Sequence, residues 1–151
     1  MLKPILLVED NPNDLELTLH ALERSKLAND VIITRDGSEA LHYLNATGPY
    51  QDRAPGNPAV ILLDLKLPKV DGLEVLRFIR ESTTFQSTPV VMLTSSREEQ
   101  DVVRSYELGV NAYVVKPVNF QEFIKAITDL GIFWAVLNEP PPGSVRASPR
   151  V

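Results

Sequence analysis

Five side chains of this 151-residue chain have types and positions that suit chemistry together: Glu9, Asp10, Asp64, Thr94 and Lys116. Each stands at the carboxyl end of a short apolar run. Pro4-Ile5-Leu6-Leu7-Val8 ends in Glu9-Asp10, and Ala59-Val60-Ile61-Leu62-Leu63 ends in Asp64. Pro89-Val90-Val91-Met92-Leu93 ends in Thr94-Ser95-Ser96, and Ala112-Tyr113-Val114-Val115 ends in Lys116-Pro117. Carboxylates gathered in one crevice repel each other, and at least one is protonated unless a cation is present. Oxygen donors without His or Cys select a hard cation, Mg²⁺ rather than Zn²⁺. Lys116 contributes a compact positive charge, and Thr94 contributes a hydroxyl. A carboxylate nucleophile, a hard metal, a lysine and a hydroxyl meet the needs of phosphoryl transfer, where positioning and charge neutralisation do most of the work.

The elements that must position these groups follow from the same runs. An unbroken apolar run of about five residues reads as a strand buried on both faces, as in parallel sheets. Open α/β sheets bind their ligands at the carboxyl ends of such strands. A fifth run, Val31-Ile32-Ile33-Thr34, lacks a polar end. Helical periods fill the gaps, giving five βα repeats and a mostly parallel sheet with right-handed crossovers. In a doubly wound sheet the first and third strands are central neighbours, so Glu9, Asp10 and Asp64 converge.

Helix starts are marked at Asn11-Pro12, with Asp14 in the first turn, and by the cap-x-x-Glu spacings of Asp36–Glu39, Ser96–Glu99 and Asn119–Glu122. Gly48-Pro49 and Gly109 are expected to stop two helices. Residues 48–58 read as a surface loop. The last dozen residues, from Pro140-Pro141-Pro142-Gly143 onward, are expected to be extended or disordered.

Composition narrows the class. Hydrophobic content of 44% and charged content of 23% describe a soluble globular protein of one domain. No apolar run of about 18 residues is present, so no membrane span is expected. The start Met1-Leu2-Lys3-Pro4 runs straight into the first strand, and a signal peptide is not expected. The absence of cysteine excludes disulfides, thiolate catalysis and thiolate-bound zinc, and fits a cytoplasmic protein. A net charge of −5 points away from nucleic acid.

Glu9-Asp10-Asn11-Pro12, the Asp64-x-x-x-Pro68-x-x-Asp71-Gly72 stretch, Thr94-Ser95 and Val115-Lys116-Pro117 resemble the receiver domain of two-component response regulators. The resemblance covers roughly residues 3–130. It implies a flavodoxin-like α/β fold, a five-stranded parallel sheet in the order 2-1-3-4-5 with five helices and an extended C-terminal tail. It also implies that Asp64 accepts a phosphoryl group from a sensor histidine kinase. Asp10, Glu9, Asp64 and the backbone carbonyl of Lys66 would hold Mg²⁺. Thr94 would hydrogen-bond the acyl phosphate, Lys116 would pair with it, and Tyr113 would be the aromatic that repositions. The Lys116-Pro117 bond is cis in the family, a geometry that only X-Pro makes cheap. The first acidic pair departs from the commoner Asp-Asp form, since Glu9 has the longer arm.

The segment Gly131-Ile132-Phe133-Trp134-Ala135-Val136-Leu137 and the prolines after it resemble the tail of single-domain regulators that pair with bacterial phytochromes. On that resemblance the partner is a light-regulated histidine kinase. The chain then divides into a receiver domain, 1–130, and a C-terminal helix extension with a Pro-rich tail, 131–151. A helical count places Phe120, Phe123, Ile124, Ile127 and Trp134 on one stripe, with Ile132, Phe133, Val136 and Leu137 on another side. The second stripe is an expected two-fold homodimer interface. A rival account has Gly131, which costs about 1 kcal/mol in a helix, ending the helix so that the chain folds back.

Taken singly, each site residue has an ordinary reading: Asp64 as a turn former, Thr94 as a cap, Lys116 as a surface charge, Tyr113 as core. Their convergence is what favours function. The alternative is a pseudo-receiver that dimerises without being phosphorylated, although its usual sign, a missing Asp, Thr or Lys, is absent. An enzyme on a similar sheet is disfavoured. Neither a dinucleotide loop nor a Walker A loop follows the first strand, and Asp64-Leu65-Lys66 lacks the second Asp of haloacid-dehalogenase phosphatases.

Overall fold

The computed structural model describes residues 3–25, 29–95 and 107–131. Five strands form one sheet: β1 (Ile5–Val8), β2 (Val31–Thr34), β3 (Val60–Asp64), β4 (Val90–Thr94) and β5 (Ala112–Val115). Their order is β2-β1-β3-β4-β5 and every neighbouring pair is parallel. The described helices are α1 (Pro12–Arg24), α2 (Gly37–Asn45), α3 (Gly72–Glu81) and α4 (Phe120–Leu130). The helix expected to open at Ser96 lies outside the described residues. So does the expected interface of Ile132, Phe133, Val136 and Leu137.

The apolar runs produce two cores because alternate strand residues face opposite sides. Ile5, Leu7, Leu62, Val91, Leu93 and Val114 pack with Leu15 and Leu22 of α1 and Phe123 and Ile127 of α4. Leu6, Val8, Ile61, Leu63 and Met92 pack with Ala40 and Leu44 of α2 and Leu76 and Ile79 of α3. This explains why the central strands carry no polar alternation. Each fully buried Leu or Ile contributes about 1.5–3 kcal/mol of transfer free energy, which fixes both layers.

Four caps set where the helices begin, directly after β1 and β2 and beyond the longer loops that follow β3 and β5. Asn11 Oδ1 accepts from the amides of Asn13 and Asp14, at 2.9 and 3.0 Å. Asp36, Asp71 and Asn119 cap α2, α3 and α4 through Glu39, Glu74 and Glu122 amides, at 2.7, 3.0 and 2.8 Å.

One expected helix stop is displaced. α2 ends at Asn45 and is closed by Ala46 in the left-handed conformation, with φ +53°, two residues before Gly48, which is itself at φ +56°. Gly48 instead opens a short 3₁₀ turn, Gly48–Tyr50. The left-handed strain at Ala46 is of order 1–2 kcal/mol, and Arg53 offsets it. Its guanidinium donates to the carbonyls of Tyr43 and Leu44 and lies 4.4 Å from the centre of the Tyr43 ring. At the other end of the domain Gly131, at φ +68°, closes α4, its N–H reaching the carbonyls of Ile127 and Thr128. The helix therefore stops where the rival sequence account placed the break, and the residues after it lie outside the described part.

Candidate functional site

The order of the sheet brings the ends of β1 and β3 side by side, since Val8 pairs with Leu63. The residues that follow, Glu9 and Asp64, therefore lie next to one another on the carboxyl edge. β4 and β5 continue the edge, with Thr94 paired to Val115. Carboxylate oxygens of Glu9, Asp10 and Asp64 all lie within 4.8 Å of one another. Glu9 is fully buried and Asp64 is 3% exposed, whereas Asp10 is exposed.

Lys116 reaches into this edge from the end of β5. Its Nζ donates to Asp64 Oδ2 at 3.1 Å and Glu9 Oε1 at 3.3 Å. It also pairs with Asp14 Oδ2 at 2.9 Å. The Lys116 backbone is held too, its N–H donating to the Thr94 carbonyl at 2.6 Å. The Lys116-Pro117 peptide is cis, as the resemblance implied.

Burial first, and charge second, set the protonation of this edge. Burial, with a hydrogen bond and the negative charge of Asp64, pushes the Glu9 carboxyl up to about 7. The Asn11 N–H, 3.1 Å from Glu9 Oε2, and Lys116 pull the other way and do not cancel it. Burial lowers the Lys116 ammonium, but the Asp14 hydrogen bond and the charges of Asp64 and Glu9 outweigh it, so the net shift is upward. Lys116 is thus a permanent cation among a surplus of acids.

The loop after β3 forms the wall of the site. Leu65, Lys66, Leu67, Pro68, Asp71 and Leu73 line a groove together with Asp10. Lys66 is exposed, and its backbone N–H lies 3.4 Å from Asp64 Oδ1. The loop closes tightly because position 72 is glycine. A Cβ there would sit 2.2 Å from the Asp64 carbonyl oxygen and 2.7 Å from that of Leu65. Lys69 adopts φ +68° at the tip, where its Nζ pairs with Asp36 at 3.4 Å.

Every expected site residue falls inside the described part except the dimer residues. Glu9, Asp10, Asp64 and Lys116 come together. Thr94, 2% exposed, ends the adjacent strand, and Tyr113 is half-buried against the core on the α2–α3 side. His20 and His42 are both exposed, and His42 Nδ1 shares a 2.9 Å hydrogen bond with Thr47 Oγ1. Asp14 was missed as a site residue. Its place in the first turn of α1 served only as a helix-start signal, but side chains lean toward the helix N-terminus. That lean, on a helix starting beside Glu9-Asp10, was the available signal.

A doubly wound sheet with this acidic edge is the flavodoxin-like receiver fold. Residues 5–128 match the family described as the response regulator receiver domain, and the chain belongs to that family. Response regulator Rcp1 of Synechocystis is 42% identical over 132 residues, 87% of this chain and 88% of that protein. The Mn²⁺-bound form of Rcp1 superposes with a TM-score of 0.72 at 38% identity, covering 97% of this chain and 99% of that one. The bacteriophytochrome response regulator RtBRR is 74% identical with a TM-score of 0.85, covering 95% of this chain and 87% of that one. The phosphorylated cyanobacterial phytochrome response regulator RcpA is 38% identical with a TM-score of 0.74, covering 98% and 100%.

Proposed function

We propose that this receiver is a single-domain response regulator that accepts a phosphoryl group from a sensor histidine kinase onto Asp64. The observation that carries the reading is Lys116 Nζ, 3.1 Å from Asp64 Oδ2 within an acidic trio spanning 4.8 Å. In the step, an Asp64 oxygen attacks phosphorus, the phosphorus–nitrogen bond of the kinase phosphohistidine breaks, and an acyl phosphate forms. Lys116 pairs with the incoming oxygens, and the Thr94 hydroxyl supplies a hydrogen bond at the strand end next door. Tyr113 repositions on activation. The protein takes part in its own phosphorylation and dephosphorylation but, as a signalling protein, turns over no separate substrate.

The donor set fits Mg²⁺. Three carboxylates lie close enough to share one ion, all donors are oxygen, and Glu9 is driven up to about 7 by burial and by the neighbouring Asp64 carboxylate. Asp10, Asp64 and Glu9, with the Lys66 carbonyl, would hold the ion, whose charge would offset that of the phosphoryl oxygens. That the similar Rcp1 has an Mn²⁺-bound form supports binding of a divalent ion.

The likeness to RtBRR and RcpA supports a phytochrome-type kinase as partner, and membership of the receiver family is consistent with a cytoplasmic setting. Among the described residues no helix is long and apolar enough to cross a membrane. The chain on this reading divides into a receiver, 1–130, and a C-terminal arm, 131–151, that pairs two copies through Ile132, Phe133, Val136 and Leu137, and the apolar character of those four residues in the sequence supports it. Sedimentation checks this: Phe133→Glu with Leu137→Glu should leave monomers, and a monomeric wild type at micromolar concentration would refute it.

Incubation with acetyl phosphate and Mg²⁺ followed by intact-mass spectrometry tests the function. Wild type should gain one phosphoryl group and Asp64→Asn none. An unchanged wild-type mass would favour the pseudo-receiver reading.

A further inference from the structure

Lys116 carries three N–H donors, and three carboxylates lie within 3.3 Å of its Nζ: Asp14 at 2.9 Å, Asp64 at 3.1 Å and Glu9 at 3.3 Å. The shortest approach is to the acid outside the trio. Helix capping does not require it, because the Asn11 side chain already takes the Asn13 and Asp14 amides. The three acids also differ in how easily they can be released. The Asp14 side chain is 29% exposed, against 5% for Asp64 and none for Glu9. An Asp14 carboxylate without Lys116 regains water, whereas a buried Asp64 or Glu9 carboxylate would lose its only cation among the described residues. A phosphoryl group brings about two negative charges and three acceptor oxygens, all seeking that ammonium.

We infer that Asp14 is a positioning residue, holding the Lys116 ammonium in the unmodified protein and competing for it with the oxygens of a phosphoryl group on Asp64. The inference rests on the reading of Asp64 as phosphoacceptor. Asp14 stands outside the trio and acts through Lys116. The pair sets how tightly the edge takes up a phosphoryl group, because each binding event must displace one partner of Lys116.

The test is calorimetric titration of the full chain with beryllofluoride, a phosphoryl mimic, at fixed Mg²⁺ and low salt. Wild type, Asp14→Asn, Asp14→Ala, Lys116→Gln and the Asp14→Asn/Lys116→Gln double variant are compared, with folding checked by circular dichroism. Both Asp14 variants should bind about fivefold tighter than wild type, in line with release of one partly exposed ion pair. In the Lys116→Gln background Asp14→Asn should change nothing, since there is no ammonium to release. Equal or weaker binding by both Asp14 variants overturns the inference. So does an undiminished gain without Lys116, which would mean that Asp14 acts by direct repulsion. Failure of wild type to bind the mimic would overturn the function reading and this inference with it; binding without a gain at position 14 would overturn only the inference.

Discussion

Each edge of the sheet is organised around one long cation, and the two edges differ in what that cation faces. At the amino edge Arg80 donates to the carbonyls of Gly109, Gln86 and Thr88 at 3.0, 3.2 and 2.8 Å, and to Asn111 Oδ1 at 2.6 Å. Asn111 Oδ1 also accepts the first amide of β4, from Val90, at 2.8 Å. All of these acceptors are neutral. The planar fork of arginine satisfies several acceptors at fixed angles, and this edge is complete within the chain. At the carboxyl edge Lys116 meets three carboxylates, with exposed Asp10 beside them. Among the described residues, four acids there share one ammonium. The amino edge stabilises the fold, whereas the carboxyl edge holds a charge surplus that suits a divalent ion and a phosphoryl group.

Breaking the amino edge should have the largest effect. Arg80→Ala strands several acceptors at once and should lower stability by about 3 kcal/mol, read as an earlier urea midpoint with Mg²⁺ present or absent. A loss that Mg²⁺ reverses would mean that the two edges are not independent.

Filling the carboxyl edge should come next. Mg²⁺ at a hundredfold excess over its dissociation constant should raise stability by about 2.7 kcal/mol. Chelation should reverse the gain, and Asp10→Asn should lose most of it. An identical gain in Asp10→Asn would move the ion elsewhere.

The pH profile sharpens the contrast. Without metal, Glu9 has a folded value of about 7 against an ordinary 4.5. The folded state therefore holds its proton more tightly, so the stabilisation is complete below pH 4.5 and is lost as pH rises through 7. Thermal melts in chelator should show wild type losing on the order of 2 kcal/mol across this range, and Glu9→Gln should flatten that slope. Arg80 variants should leave the slope unchanged.

The smallest effect is expected from relief of like charge. Asp64→Asn should gain about 1 kcal/mol without metal, and the advantage over wild type should vanish at saturating Mg²⁺. A loss of stability in chelator would show that the Lys116 pair outweighs repulsion.

Much of this was legible in the sequence because it depends on local features. The apolar runs gave the strands, and their polar ends gave Glu9, Asp10, Asp64, Thr94 and Lys116. The caps at Asn11, Asp36 and Asn119 followed from short-range spacing, and Asp71-Gly72-Leu73-Glu74 carried the same unread signal for α3. What escaped was set by tertiary approach. Asp14 meets Lys116 only because the first turn of α1 and the end of β5 open on the same carboxyl edge of the sheet, and a helix position says nothing of a partner 102 residues away. Ala46, rather than Gly48, closes α2 because Arg53 folds back over Tyr43, which no propensity records. Arg80 carried no signal in the sequence, because its acceptors come from the α3–β4 connection and the approach to β5.

The central claim is that Asp64 carries the phosphoryl group, and one measurement addresses that atom directly. After incubation with acetyl phosphate and Mg²⁺, borohydride reduces an acyl phosphate of aspartate to homoserine, which peptide mapping locates. Homoserine at position 64, absent without acetyl phosphate and absent in Asp64→Asn, is the predicted result. A phosphorylated protein with homoserine at another position, or with none, would contradict it.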